Sequence, residues 1–129
     1  MRYTREILEH IKNPRNVGEI ENTSAKARVR SIADGDMLQL HLQIEGDVIR
    51  DAKFKVFGCG AAIATGSLVT EMLIGLNVSE ALLITNEKLS EMMGGLPPEK
   101  VHCSVLAEQA IHEAISNWRS RSGILSDTF

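Results

Sequence analysis

Apolar and polar residues alternate most regularly in the first half of the chain. Ala25, Ala27 and Val29 are separated by Lys26, Arg28 and Arg30. Leu38, Leu40, Leu42 and Ile44 are separated by Gln39, His41 and Gln43, the cleanest alternation in the protein. The stretch 48–57 keeps the same period and ends in Ala52-Lys53-Phe54-Lys55-Val56. A period of two places successive side chains on opposite faces of an extended chain, so each segment predicts a strand with one apolar face. A turn centred on Asp34-Gly35-Asp36 joins the first two strands, and the hairpin signal Glu45-Gly46-Asp47 joins the second to the third. Three strands with such short connections predict an antiparallel meander.

Elsewhere the period lengthens to that of a helix. Ile7, Leu8 and Ile11 share one face of a short helix over 4–12, which Asn13-Pro14 stops. The connector Asn13-Pro14-Arg15-Asn16-Val17-Gly18 reads as irregular. A helix over 61–74 carries Leu68, Val69, Met72 and Leu73 and ends at Gly75. A capped start at 77–80 and a short helix over 87–93, closed by Gly94-Gly95, follow. Leu96-Pro97-Pro98-Glu99-Lys100 cannot be helix interior and predicts an exposed extended segment. The last helix opens at Val101-His102-Cys103, with Leu106, Ala107, Ala110, Ile111, Ala114, Ile115 and Trp118 as its stripe, and the tail over 120–129 should fray. Strands first and helices after predict an α+β fold: one domain over 1–129, with a three-stranded antiparallel sheet and helices on one face.

Composition narrows the function classes. The 129 residues suit one core, and 43% hydrophobic content favours a globular chain over disorder. A net charge of −3 lacks the basic footprint of a nucleic-acid binder. Two cysteines do not make a secreted disulfide framework, no apolar run has the length of a membrane span, and no transit or signal segment is visible. A reducing cytoplasmic setting is the expectation.

The two cysteines carry the candidate chemistry. Cys59 lies between glycines in Val56-Phe57-Gly58-Cys59-Gly60-Ala61-Ala62-Ile63-Ala64, at a corner from strand to helix. The flanking glycines remove bulk and allow close approach to the backbone, and a helix N-terminus favours a thiolate. Cys103, with His102 beside it, opens the other long helix. If the two helices lie side by side, their starts meet, and the meander brings Asp34 and Asp36 near Cys59. Two thiols, an imidazole and one or two carboxylates make a ligand set for zinc, or for an iron–sulfur cluster. Taken singly, each cysteine reads first as a small buried hydrophobe. The turn aspartates read as turn formers, and His10, His41 and His112 as surface or partly packed residues. There is no CxxC pair. Gly58-Cys59-Gly60-Ala61-Ala62-Ile63 fits a dinucleotide fingerprint poorly, because Ile63 replaces its third glycine and no βαβ unit surrounds it. A Cys–His hydrolase finds no oxyanion arrangement, and adjacent residues at a helix start rarely point at one another.

Three motifs together resemble the iron–sulfur cluster assembly scaffolds of the IscU type, related to the N-terminal domain of NifU. They are Asn13-Pro14-Arg15-Asn16-Val17-Gly18, the stretch from Asp51-Ala52-Lys53-Phe54 through Gly58-Cys59-Gly60 to Ala64, and Leu96-Pro97-Pro98-Glu99-Lys100-Val101-His102-Cys103-Ser104. The resemblance covers about 3–121. It implies a non-enzymatic scaffold that receives sulfur from a cysteine desulfurase, takes up iron, builds a [2Fe–2S] cluster and hands it on, with zinc as an alternative occupant. Cys59, Cys103, His102 and Asp36 fall on family ligand positions, with Cys103 as the implied persulfide acceptor. The segment Leu96-Pro97-Pro98-Glu99-Lys100 is similar to the family's recognition element for an Hsp70-type chaperone, which works with a J-protein co-chaperone. A frataxin-like protein and a ferredoxin are further implied partners.

Two positions depart from the family pattern. Asp34, in Ala33-Asp34-Gly35-Asp36, stands where the family has its first cysteine, and Glu99 stands where valine is usual. A carboxylate is a harder ligand than a thiolate and cannot carry a persulfide, though it can hold zinc or ferric iron through oxygen. The sequence also lacks the insertion before Leu96 found in the related SufU proteins. It therefore supports two readings: a cluster scaffold, or a zinc-binding, assembly-impaired paralogue that serves as an interaction protein.

Overall fold

The computed structural model describes residues 3–31 and 35–121. Asp34 and the predicted tail beyond Arg121 lie outside the described residues. Helix α1 (Arg5–Lys12) leads through the connector to strands β1 (Ala25–Arg30), β2 (Met37–Glu45) and β3 (Val48–Phe57). Helices α2 (Gly60–Leu73), α3 (Val78–Ala81), α4 (Asn86–Met92) and α5 (Val101–Arg121) follow. Among the described residues the sheet has three antiparallel strands in the order β1-β2-β3, as the alternation predicts.

Alternation becomes packing at once. Ala25, Ala27 and Val29 are buried while Lys26, Arg28 and Arg30 are exposed. Leu38, Leu40, Leu42, Ala52 and Phe54 complete the apolar face of the sheet, and α2 and α5 lie against it with Val69, Leu73, Ile111 and Ile115 in the core. Gly46 and Asp47 both take positive φ, 56° and 70°, in the tight β2–β3 turn, where a two-residue loop demands it. Local signals also fix the helix starts. Thr4 Oγ1 accepts from Ile7 N at 3.2 Å, and Asn77 and Glu80 form a reciprocal capping box.

Several expectations change. Residues 96–100 are not extended throughout: Pro98–Lys100 forms one 3₁₀ turn, closed by Lys100 N to Pro97 O at 2.8 Å, which runs directly into α5. Proline is excluded from helix interiors but is preset for a first turn, so the same residues that forbid one state begin the other. Helix α5 also continues through Ser120 and Arg121, further than the predicted fraying. His41 is buried, and Ile20 N, just beyond the connector, donates to His41 Nδ1 at 3.0 Å. His10 sits where α1, the connector and α2 meet. Its Nδ1 lies 2.7 Å from Ser67 Oγ and 3.2 Å from Arg15 Nη1, and burial, then the Arg15 charge, lowers its pKa.

The two outer strands are finished differently. On β3 the connector acts as a cover: Phe54 N donates to Asn16 O at 2.9 Å and Gly18 N donates to Phe54 O at 2.8 Å. Further along, Ile49 bonds to Leu76 and Gly75 through its N–H and C=O. Gly66 of α2 faces the Phe54 ring so closely that a Cβ there would overlap it, which makes an interior helical glycine a packing requirement.

Candidate metal centre

The register of the sheet begins the site. Met37 pairs with Phe57, so the residues just beyond that pair, Asp36 and Gly58, leave the sheet side by side. A Cβ on Gly58 would come within 2.8 Å of Asp36 Cγ, so the bare glycine is what lets the carboxylate lie against this corner. Gly60 does the same for α1: a Cβ there would meet Ile11 Cδ1 at 2.8 Å and Tyr3 Cε2 at 3.7 Å. Each glycine beside Cys59 therefore admits a different neighbour, one polar and one apolar.

Cys59 is the N-cap of α2, and its backbone carbonyl accepts from Ala62 N and Ile63 N. Cys103 lies in the first turn of α5, which packs beside α2. The two sulfurs stand 4.0 Å apart and both are free thiols. Asp36 Oδ2 is 3.8 Å from Cys59 Sγ and 3.0 Å from His102 Nε2, which is 3.6 Å from Cys103 Sγ. Ligand atoms of Asp36, Cys59 and Cys103 all lie within 4.8 Å of one another. The adjacent pair His102 and Cys103 thus does converge, against the expectation for neighbours at a helix start.

This arrangement suits a metal. Two thiolates held ~2.3 Å from one tetrahedral ion would lie ~3.8 Å apart, close to the separation found. Sulfur, nitrogen and oxygen donors together match zinc and the iron of iron–sulfur clusters. Asp34, the fifth expected contributor, lies outside the described residues.

The two thiols differ in their surroundings. Cys103 is 2% exposed, whereas Cys59 is half-buried. Burial pushes the Cys103 thiol far above its ordinary value, Cys59 and Asp36 push it further, and the Lys100 charge opposes them. The helix-start argument for a thiolate is therefore outweighed at Cys103 by desolvation. Lys100 stands beside Cys59, whose negative charge raises the Lys100 pKa. The sequence places Lys100 only in a recognition segment. The 3₁₀ turn swings it back towards the cysteines, and an X-Pro-Pro run leading straight into a helix was the available signal.

Comparison with known proteins gives the family and the fold. The NifU-like N terminal domain family matches residues 2–124. This chain belongs to that family. It is 43% identical over 125 residues to an iron sulfur cluster assembly protein 1 of Trachipleistophora hominis, covering 95% of this chain and 90% of that protein. It is 42% identical over 127 residues to the iron-sulfur cluster assembly scaffold protein IscU of Haemophilus influenzae, covering 95% of this chain and 100% of that one. The fold matches the crystal structure of a NifU-like N-terminal protein from Brucella abortus, with a TM-score of 0.74, 20% identity and coverage of 91% and 94% of the two chains. The α+β architecture expected from the alternation is the one this family has.

Proposed function

We propose that this protein is a scaffold, not an enzyme, on which a [2Fe–2S] cluster is assembled and from which it is transferred. The observation that carries this reading is the meeting of Cys59, Cys103, His102 and Asp36 at one point from three parts of the chain. Iron and sulfide are cargo here, held by Cys59, Cys103 and His102, with Asp34 or Asp36 supplying oxygen. Sulfur comes from a cysteine desulfurase. The Cys103 thiolate attacks the outer sulfur of the donor persulfide, the S–S bond of that persulfide breaks, and the donor thiolate leaves. Reduction of the resulting persulfide to sulfide takes two electrons, which is the role of a ferredoxin. A thiol as buried as Cys103 is a weak nucleophile when protonated, so iron at the neighbouring donors should precede sulfur, since a bound cation favours the thiolate.

Phe57 and Val101 each lie two residues before a cysteine and are 68% and 41% exposed. Apolar residues left open at the rim support a site that partners cover: the desulfurase, a frataxin-like protein, and an Hsp70-type chaperone with its J-protein, reached through Leu96-Pro97-Pro98-Glu99-Lys100. No helix among the described residues is long and apolar enough to cross a membrane, and we place the protein in the cytoplasm. Anaerobic reconstitution with iron, cysteine, a desulfurase and reduced ferredoxin or an excess of thiol reductant tests the proposal. The expected result is visible sulfur-to-iron charge-transfer absorption that Cys59→Ala and Cys103→Ala each abolish; a colourless product overturns it.

Asp34 supports a second reading, a zinc-holding interaction protein that binds desulfurase or chaperone without building clusters. Elemental analysis separates the two. Stoichiometric zinc with no iron–sulfur loading and an intact desulfurase complex favours the second. Asp34→Cys should raise cluster yield, and an unchanged yield would remove Asp34 from the ligand set.

A further inference from the structure

The outer edge of β1, which no other strand covers among the described residues, has a chemistry of its own. Asn117 Nδ2 donates to Lys26 O at 2.8 Å, so the Lys26 carbonyl faces away from β2. In an antiparallel ladder the outward-facing residues recur every second position, so the backbone groups of Arg28 and Arg30 face the same open side. Ser31 N donates inward to Asp36 O, which agrees with that phase. β1 therefore presents a row of backbone donors and acceptors flanked by Lys26, Arg28 and Arg30. A cleft of ≈ 650 Å³ runs between this edge and the exposed side of α5, lined by Arg28, Arg30, Gln109, His112, Glu113 and Ser116. A second of ≈ 490 Å³ continues past Lys26 to Arg121. Glu113 borders both, and Glu19, which borders the second, is paired with Lys55 at 2.6 Å. The balance along the edge is basic, in a chain whose net charge is −3.

We propose that the open edge of β1 docks an acidic extended segment of a partner protein as an added strand. Main-chain hydrogen bonds would supply register-independent attraction, and alternate side chains would select the partner. Acidic residues would fall on the side of Lys26, Arg28 and Arg30, and small polar residues would enter the cleft beside Gln109, His112 and Ser116. Charge decides the occupant. A second copy paired antiparallel through β1 would set arginine and lysine against one another, and like charges directly opposite are unfavourable. Charged residues on an edge also discourage indiscriminate pairing, so the same side chains that refuse a copy of this chain admit a complementary one.

The test is fluorescence anisotropy with a labelled peptide that alternates glutamate and threonine and is long enough to cover β1, at low ionic strength. Saturable binding is expected, weakened about tenfold or more by the pair Lys26→Glu and Arg28→Glu. Both lie away from the Arg30–Met37 rung that leads to Asp36, so metal binding should be unchanged in that variant, which also reports that it is folded. Peptides N-methylated at every second residue give the sharper result: one phase of methylation should abolish binding and the other should leave it nearly intact. Equal loss for both phases, equal binding of a scrambled peptide or of polyphosphate, or no binding at all would overturn the proposal. Concentration-dependent dimerisation of the protein through β1 would overturn it in favour of a second copy.

Discussion

Cys59 and Cys103 are both placed at helix starts, 4.0 Å apart, yet they sit in different media. Cys59 caps its helix at a corner that is partly open, with Lys100 beside it. Cys103 is enclosed by the packing of α2, α5 and the sheet, and its thiol is held in the neutral form. Two thiols of one candidate site therefore need not be equivalent before anything binds there. A half-open thiol can meet an incoming reagent, while a buried one gives up its proton only when something replaces it.

The largest effects should come from removing either thiol, and here the two should look alike. Cys59→Ala and Cys103→Ala should each weaken zinc binding by more than about a hundredfold, beyond the ~10–100-fold typical of losing an outer-shell partner. Competition with a chromophoric chelator measures this, and retention of tight binding by one variant would remove that cysteine from the site. The difference between them should appear in alkylation of the metal-free single-cysteine proteins. At mildly alkaline pH, iodoacetamide should label Cys59 in Cys103→Ala at least about tenfold faster than Cys103 in Cys59→Ala. Similar rates would show that the burial contrast does not govern reactivity.

A pH series sharpens the contrast. The Cys103 pKa is higher folded than its ordinary value of 9.0, so the folded state binds the proton more tightly than the unfolded one. The resulting stability is complete below about pH 9 and is lost as pH rises beyond it. Thermal melts of the metal-free protein should therefore fall in alkali, and Cys103→Ala should lack this component of the fall. Zinc binding runs the other way: loading displaces the Cys103 proton, so affinity near neutrality should rise about tenfold per pH unit for each proton released. Gly58→Ala comes next in size. It displaces Asp36 rather than a thiol, and should cost about tenfold in zinc affinity with helix content unchanged, within the range for repositioning a ligand. The smallest effect is expected for Lys100→Gln. Loss of the ammonium should slow alkylation of Cys59 about twofold, since solvent screens a charge at this position.

Periodicity made most of the fold legible. β3 runs from Val48 to Phe57 as the alternation predicts, and α1 follows Thr4 because a threonine before an apolar stripe is a local signal. The site was legible to the extent that strand register is: pairing Met37 with Phe57 delivers Asp36 to Gly58. What escaped depends on tertiary approach. Nothing local says that the ring of Phe54 needs Gly66, that Ile20 covers His41, or that Lys100 turns back to Cys59. The state of the Cys103 thiol escaped for the same reason. A helix N-terminus is visible in the sequence, whereas the depth of burial that overrides it is a property of the assembled core.

Phe54 draws one more consequence from the way β3 is covered. Its N–H is held by Asn16, its C=O by Gly18, and its ring by the gap at Gly66, so three segments distant in the chain meet on one residue. No local fraying can release that amide to solvent without parting the connector from the sheet. In deuterated buffer it should be among the last to exchange, and its rate would then serve as an internal gauge of global opening.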